Sequence, residues 1–208
     1  MTRTKAAPAP AARGIQERIY VTQAETERLE RDINLRRHIE RYALARQFLS
    51  GRVLDAACGV GYGTWLCQKN PDVEAMLGID IDAEAIGWAN QHFATPKASF
   101  QCCAIDAFAS PGFDTLLTIE TIEHLAEPRM LSALADRIGA TEVIVSFPLK
   151  KTTHYNKYHL WDFTEQDVLH IFDEFVRAAC IDQNTDYLLL HLVRARKRAH
   201  APKTYPKR

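Results

Sequence analysis

The sequence predicts an α/β protein of the doubly wound, Rossmann-like type, with seven strands in a mostly parallel sheet and one antiparallel edge strand. Three observations support this prediction. Short apolar runs alternate with segments of helical periodicity over most of the chain. The first run leads directly into a glycine-rich turn. The last two runs are separated only by a short polar stretch, as in a β-hairpin.

The helical segments are recognised by apolar residues at spacings of three and four, and by residues that favour helix ends. Gly51 follows the first helix, and Pro128 opens the fourth. Asp82 and Thr164 suit the N-cap positions of the third and fifth helices. In chain order, the predicted helices are Glu25–Leu49, Tyr62–Asn70, Ala83–Phe93, Pro128–Ile138 and Thr164–Phe172.

The predicted strands are short apolar runs bounded by polar or turn residues. Alternation of strand and helix implies parallel pairing with helices on both faces of the sheet, because a parallel crossover needs a long connection. The final hairpin adds an antiparallel strand at one edge. In chain order, the predicted strands are Arg52–Ala57, Ala75–Ile81, Ser99–Ile105, Phe113–Glu120, Glu142–Phe147, Phe175–Ile181 and Tyr187–Arg194.

Composition bounds the class of protein. With 208 residues, 47% of them hydrophobic, the chain can bury a core without disulfides. Its longest apolar runs are about eight residues, and a membrane span needs roughly 20. The five cysteines form no Cys-x-x-Cys pair, which argues against a zinc ribbon, a thioredoxin-type motif and a secreted disulfide framework. We therefore expect a reduced, cytoplasmic protein.

Charge divides the chain into three predicted regions. The formal net charge is zero, but residues 1–13 carry three basic residues and residues 194–208 carry seven, with no acids in either. We expect a disordered leader at 1–14, one domain at 15–195 and a disordered basic tail at 196–208. A contact of the basic ends with nucleic acid is the second interpretation, because the acidic body is a poor nucleic-acid surface.

The glycine-rich turn after the first strand predicts a ligand site. Gly59 and Gly61 suit a tight strand-to-helix turn that a ligand approaches closely. The spacing is Gly-x-Gly-x-Gly rather than the Gly-x-Gly-x-x-Gly of dinucleotide sites, which disfavours a nicotinamide dehydrogenase. Asp55 would repel a pyrophosphate, so it suits a cationic group, such as the α-amine of a methionine moiety.

Two further acids follow strands that end at the same edge of the sheet. Asp80 closes the second strand, where a carboxylate can accept hydrogen bonds from two ribose hydroxyls, and Asp82 is assigned to the helix cap. Asp106 follows the third strand, where an acid can accept from an adenine amino group. Three acids at three strand ends indicate a binding site more strongly than any one of them.

Residues 38–195 resemble the class I S-adenosylmethionine-dependent methyltransferases. The motif at 53–63, Val-Leu-Asp-Ala-Ala-Cys-Gly-Val-Gly-Tyr-Gly, matches the first motif of that family, and Gly-Ile-Asp at 78–80 matches its second. The resemblance implies that S-adenosyl-L-methionine is the cofactor. It also implies the following contacts: Gly59 and Gly61 with the methionine part, Asp80 with the ribose, and Asp106 and Ala107 with the adenine. Ile81, beside Asp80, is also counted among the cofactor-binding residues.

Histidines near the fourth and fifth strands are the candidate bases. A hydroxyl acceptor must lose a proton during methyl transfer, and histidine titrates near neutrality. His124 lies in Glu-Thr-Ile-Glu-His after the fourth strand, and His159 lies in the loop after the fifth. Glu123, from the same motif as His124, is the third candidate catalytic residue. The absence of Asp/Asn-Pro-Pro-Tyr/Phe and Pro-Cys motifs disfavours DNA base methylation.

The same residues suggest a second chemistry. Glu120, Glu123, His124 and His159 form an oxygen and nitrogen set that suits Mg²⁺ or Mn²⁺, which would lower the pKa of a bound hydroxyl. This set resembles that of metal-dependent O-methyltransferases with Glu-x-x-Glu-His, namely the ubiquinone-pathway enzymes and the small-RNA 2′-O-methyltransferases. Without a metal, Glu120 would face the cofactor, and Glu123 would cap or pair locally.

Three stretches resemble bacterial methyltransferases of glycan biosynthesis: residues 38–45, 120–125 and 156–164. That resemblance implies O-methylation of a sugar, glycan or other small molecule. The alternatives are a metal-dependent RNA ribose 2′-O-methyltransferase and, from another class, a catalytically silent subunit that binds the cofactor. Four aromatic residues in the loop after the fifth strand could stack on an acceptor ring or anchor the loop: Tyr155, Tyr158, Trp161 and Phe163.

Overall fold

The computed structural model describes residues 23–181 and 186–195. The predicted leader 1–14, the boundary at residue 15 and the tail 196–208 lie outside these residues. The strands are β1 Gly51–Ala56, β2 Val73–Asp80, β3 Ala98–Cys102, β4 Thr115–Ile119, β5 Glu142–Pro148, β6 Phe175–Ile181 and β7 Tyr187–Arg194. The α-helices are α1 Gln23–Ala45, α2 Tyr62–Cys67, α3 Ala83–His92, α4 Met130–Ile138 and α5 Glu165–Ile171. Short 3₁₀ turns occupy Arg46–Phe48 and Ile122–His124.

The seven strands form one sheet in the order β3-β2-β1-β4-β5-β7-β6. The first five strands pair in parallel, and β7 is antiparallel to both β5 and β6. The predicted fold class is confirmed, and the reversed strand lies one position inside the edge. The physical reason is burial: Tyr187–Leu190 of β7 are all buried, whereas most of β6 is exposed.

Two of the four predicted helix-end signals, Asp82 and Thr164, act as the sequence predicts, whereas Pro128 lies two residues before α4 and Gly51 begins β1. The Asp82 side chain accepts hydrogen bonds from the backbone N–H groups of Glu84 and Ala85 at the start of α3. Thr164 and Asp167 form a reciprocal capping box at the start of α5. These caps satisfy backbone donors that have no partner within the helix. They therefore set where the two helices begin.

Alternate residues of the central strands pack against opposite layers. Leu54 and Leu116 lie in one apolar cluster with α4 and α5, while Val53 and Leu117 lie in a second cluster with α2 and the end of α1. Such burial on both faces is typical of parallel sheets. Contacts divide the chain into two compact units between Arg36 and Arg37, and the whole sheet belongs to the second unit. Among the described residues, no helix combines the length and apolar character needed to cross a membrane.

A glycine in α2 permits a close helix contact. A Cβ added at Gly63 would lie 2.2–2.4 Å from three ring carbons of the buried Tyr42. Gly63→Ala is expected to lower the free energy of unfolding by about 1–3 kcal/mol, because the ring must move out of a packed core. Urea denaturation measures this change.

Gly87 provides the matched control, since it lies in the interior of α3 and a Cβ there would meet nothing within 4 Å. Gly87→Ala is expected to stabilise the protein by about 0.5–1 kcal/mol through helix propensity. Equal changes in the free energy of unfolding for the two substitutions would show that the contact with Tyr42 does not determine the cost of a methyl group at Gly63.

Candidate active site

A cavity of about 410 Å³ opens at the carboxyl ends of the parallel strands. This is the edge at which open α/β sheets bind ligands. The residues that line the cavity follow β1, β2, β3 and β4 or belong to the segment leading into α4. They are Ala57, Asp80, Ile81, Cys103, Ala104, Ile105, Asp106, Glu120, Thr121, His124, Leu125 and Met130. Five predicted site residues are thus brought together: Asp80, Ile81, Asp106, Glu120 and His124.

The glycine turn has two distinct parts. Gly59 has φ +55° and donates its N–H to Asp80 Oδ2 at 2.9 Å. A Cβ added at Gly59 would meet nothing within 4 Å. Gly61 has φ +87°, and a Cβ there would lie 2.7 Å from the Ala89 Cβ and 2.8 Å from the Phe100 ring. Gly61 therefore lets the turn pack on α3 and β3, whereas Gly59 leaves room for a ligand. Sequence analysis missed Ala57, which lines the cavity with φ +62° although it is not a glycine.

Asp80 connects the turn to β2. Its Oδ2 accepts from Gly59 and its Oδ1 accepts from the Asp82 N–H at 2.9 Å, so two backbone donors orient the carboxylate at the cavity wall. Ile81, beside it, is 77% exposed and gives the wall an apolar surface. Asp106 is an exposed lining residue, and the predicted site residue Ala107 is exposed but outside the lining.

Asp55 lies beneath the turn rather than in the cavity wall. It is fully buried, its Oδ2 accepts the Thr64 hydroxyl proton at 2.6 Å, and its Oδ1 has no hydrogen-bond partner among the described residues. Burial raises the pKa of Asp55 to about 7, the Thr64 hydrogen bond opposes this rise, and the charge of Asp80 adds to it. Its predicted contact with a ligand amine remains a prediction.

The raised pKa of Asp55 predicts a dependence of stability on pH. The folded state keeps a proton that the unfolded state releases between pH 3.8 and about 7, so stability is lost as pH rises through this window. In urea denaturation from pH 4 to pH 8, the wild type should lose stability relative to Asp55→Asn by up to about 1.4 kcal/mol per pH unit. A difference that does not change with pH would contradict the prediction.

Glu120 is held on the side of the cavity by a buried cation. It follows β4 with φ +50°, its Oε1 accepts the Ser146 hydroxyl proton at 2.8 Å, and its Oε2 pairs with Arg41 at 3.3 Å. Burial raises the pKa of Glu120, and Arg41 is the first of the groups that oppose this rise. Arg41 is buried and stacks on the Tyr187 ring. Arg41 lies in the stretch 38–45 but had no predicted role, because helical periodicity cannot distinguish one inward-facing arginine from its neighbours.

Glu123, His124 and His159 come together in one group. One ligand atom from each lies within 4.8 Å of the others. The His124 Nε2 is 3.8 Å from Glu123 Oε1, and the two imidazole rings meet edge to face at 4.6 Å. Glu120 does not join this group, since Arg41 and Ser146 engage its two oxygens.

Glu123 is the buried member of the group. It is 1% exposed, and neither carboxyl oxygen has a hydrogen-bond partner among the described residues. Burial raises the pKa of Glu123 to about 8, and the charge of Glu120 adds to the rise. A buried carboxyl group without partners is costly, which indicates a group selected for something other than stability.

The loop after β5 folds back onto this group. The Leu160 N–H donates to the Glu123 carbonyl at 2.8 Å, and Trp161 Nε1 donates to the Leu125 carbonyl at 2.8 Å. Trp161 also stacks on Phe163. These two aromatic residues anchor the loop, whereas Tyr155 and Tyr158 are 69% and 66% exposed in the same loop.

Comparison with known proteins agrees with this geometry. Residues 53–140 match the methyltransferase domain family. The ubiquinone biosynthesis O-methyltransferase of Sinorhizobium medicae is 34% identical over 96 residues, which cover 43% of this chain and 38% of that protein. The chain thus spans well under half of the length of that curated relative.

Solved structures share the fold at low identity. The putative methyltransferase of Haloferax volcanii, in complex with the Trm112 methyltransferase activator, has a TM-score of 0.67 at 15% identity and covers 80% of this chain and 95% of that one. The N-methyltransferase NodS of Bradyrhizobium japonicum, in complex with S-adenosyl-L-homocysteine, has a TM-score of 0.62 at 18% identity and covers 77% and 87%. Residues 53–140 thus match a methyltransferase domain in sequence, and the described residues share the fold of solved methyltransferase structures.

Proposed function

We propose that the protein transfers a methyl group from S-adenosyl-L-methionine to a hydroxyl of a sugar, glycan or other small molecule. The observation that carries this proposal is the position of the Glu123, His124 and His159 group. His124 belongs both to this group and to the wall of the cavity that Asp80 lines. Groups that can accept a proton thus lie beside the cofactor's expected place.

The cavity suits an adenosyl ligand. The open space at Gly59 admits the methionine part, Asp80 presents its carboxylate to the ribose, and Ile81 offers an apolar surface. Asp106 lies on the same wall for the adenine. Bound S-adenosyl-L-methionine supplies an electrophilic methyl group on a sulfonium. The residues of this chain then have two tasks, which are to align the acceptor and to take its proton.

Each histidine has a ring nitrogen that can accept a proton in the neutral ring. The His124 Nδ1 lies 2.9 Å from the Tyr158 carbonyl, which can only accept, so Nδ1 carries the proton and Nε2 has a free lone pair. Burial lowers the pKa of His159, and the neighbouring His124 adds to this effect. His159 is therefore neutral near pH 7 and able to accept a proton.

The same three side chains fit a divalent metal. Glu123 offers two carboxyl oxygens without hydrogen-bond partners, and His124 offers Nε2 with Nδ1 already held by a carbonyl, as is usual for metal-bound histidines. Two nitrogens and one carboxylate favour Mn²⁺ over Mg²⁺, which prefers oxygen ligands. When bound, such a metal would lower the pKa of an acceptor hydroxyl. Glu123, His124 and His159 would hold it.

The acceptor would lie against the exposed rings of Tyr155 and Tyr158, which can stack on a sugar or a flat aromatic ring. Transfer to oxygen agrees with the named activity of the Sinorhizobium medicae relative. The set of one carboxylate and two histidines also favours, as a second candidate, a metal-dependent RNA ribose 2′-O-methyltransferase. The basic tail of this chain, residues 196–208, is the segment that would contact nucleic acid, and it lies outside the described residues.

Thermal shift assays test the cofactor first. S-adenosyl-L-homocysteine and S-adenosyl-L-methionine, at about 100 times their dissociation constants, should each add roughly 2.7 kcal/mol, while NAD should add nothing. A further shift with Mn²⁺ that EDTA reverses would support the metal. Sugar, phenol and RNA acceptors are then compared by methyl transfer from labelled cofactor. No shift with either adenosyl ligand would overturn the proposal in favour of another class of protein.

A further inference from the structure

The His159 ring is held by one hydrogen bond. Its Nδ1 lies 2.6 Å from the Thr152 hydroxyl oxygen, and its Nε2 makes no hydrogen bond to a described residue. Thr152 is 6% exposed, although most residues around it in the loop are exposed. A buried hydroxyl at this distance determines how the imidazole ring is oriented.

Thr152 is itself fixed by Asp162, from the far end of the same loop. Asp162 Oδ1 accepts the N–H groups of Thr152 at 2.7 Å and Thr153 at 3.2 Å. Its Oδ2 accepts the Thr153 hydroxyl proton at 2.7 Å. These three hydrogen bonds tie residues 152–153 to residue 162, three positions beyond His159. The Thr152 hydroxyl is therefore a rigid partner for the ring.

The direction of the Thr152–His159 hydrogen bond determines which nitrogen of the His159 ring carries the proton and which keeps a lone pair. A hydroxyl can donate or accept, so two tautomers of His159 satisfy the distance. If Nε2 carried the proton, its N–H would have no acceptor among the described residues, since the hydrogen bond of the ring is made by Nδ1 and both Glu123 oxygens lack a hydrogen-bond partner. If Nδ1 carries the proton and donates to Thr152, Nε2 keeps the lone pair and is the ring nitrogen left to act in the group with Glu123 and His124. His124 is held in this second way by the Tyr158 carbonyl.

We propose that Thr152 is a positioning residue that accepts the Nδ1 proton of His159 and so keeps the Nε2 lone pair available beside Glu123 and His124. The proposal rests on the proposed function, in which that lone pair binds a metal or takes the acceptor's proton. Loss of such a supporting partner typically weakens metal binding 10- to 100-fold.

Nitrogen-15 NMR of the imidazole ring tests the tautomer in the full chain without metal. The wild type should show His159 protonated at Nδ1. Thr152→Val should shift it toward the Nε2 form, and Thr152→Ser should restore the wild-type signal. Thr153→Val is the matched control, since it removes a neighbouring hydroxyl that contacts Asp162 and not His159. An Nε2-protonated His159 in the wild type, or no change in Thr152→Val, would overturn the proposal.

Mn²⁺ titration followed by electron paramagnetic resonance provides the second readout. Thr152→Val should raise the Mn²⁺ dissociation constant about 10- to 100-fold, and Thr152→Ser and Thr153→Val should stay near the wild type. If the wild type shows the expected tautomer but binds no Mn²⁺, metal binding is rejected as part of the proposed function, and the role of Thr152 in setting the His159 tautomer is kept. Equal Mn²⁺ affinity in wild type and Thr152→Val would count against that role.

Discussion

Glu123→Gln is expected to lower turnover about 10²- to 10⁴-fold and to leave the protein at least as stable as the wild type in EDTA. The side chain is 1% exposed and has no hydrogen-bond partner among the described residues, so its charge adds nothing to folding. Glutamine keeps the shape but has no carboxyl proton to exchange, and it cannot lose a proton to bind a metal as a carboxylate. Activity and stability should therefore respond in opposite directions.

Methyl transfer at saturating cofactor and urea denaturation in EDTA measure the two effects. Glu74→Gln, at an exposed position on β2, is the control that removes an acid away from the cavity. S-adenosyl-L-homocysteine affinity should stay within about threefold in both variants, because Glu123 is not among the residues that line the cavity. A stable Glu123→Gln protein with normal turnover would exclude Glu123 from the reaction.

Gly59→Ala is expected to weaken S-adenosyl-L-homocysteine binding about 10- to 100-fold, which corresponds to an overpacking cost of about 1–3 kcal/mol. A Cβ at Gly59 would meet nothing within 4 Å in this structure. The added methyl group therefore becomes a steric problem only when a ligand fills that space. Isothermal titration calorimetry measures the change in affinity.

Gly139→Ala separates this effect from backbone strain. Gly139 has φ +80° and ends α4, and a Cβ there would likewise lie in open space, but it precedes β5 and so lies at the opposite edge of the sheet from the cavity. Both substitutions should cost about 1–2 kcal/mol of folding stability, because both place alanine in the left-handed region. Only Gly59→Ala should lose cofactor affinity. Equal affinity in the two variants would mean that the ligand does not occupy the space beside Gly59.

Local patterns in the sequence were sufficient for the secondary structure and for part of the site. Alternating strand and helix segments predicted all seven strands, and Asp82 and Thr164 marked helix starts correctly because capping involves neighbours in the chain. Asp80 and Asp106 were predictable because the carboxyl ends of parallel strands meet at one edge. The order of β6 and β7 depended on which strand buries more apolar surface in the folded sheet.

The sequence by itself determined the fold class, the cavity edge and the candidate residues at that edge. Only the tertiary structure decided how those candidates divide between roles. Glu120 and Glu123 both belong to the motif, yet the buried Arg41, 79 positions before Glu120 in the chain, pairs with Glu120, whereas Glu123 has no hydrogen-bond partner among the described residues. Thr152 likewise gains a role only because Asp162 closes the loop around His159. Such contacts depend on distances in space between residues far apart in the chain, and no periodicity or spacing in the sequence encodes them.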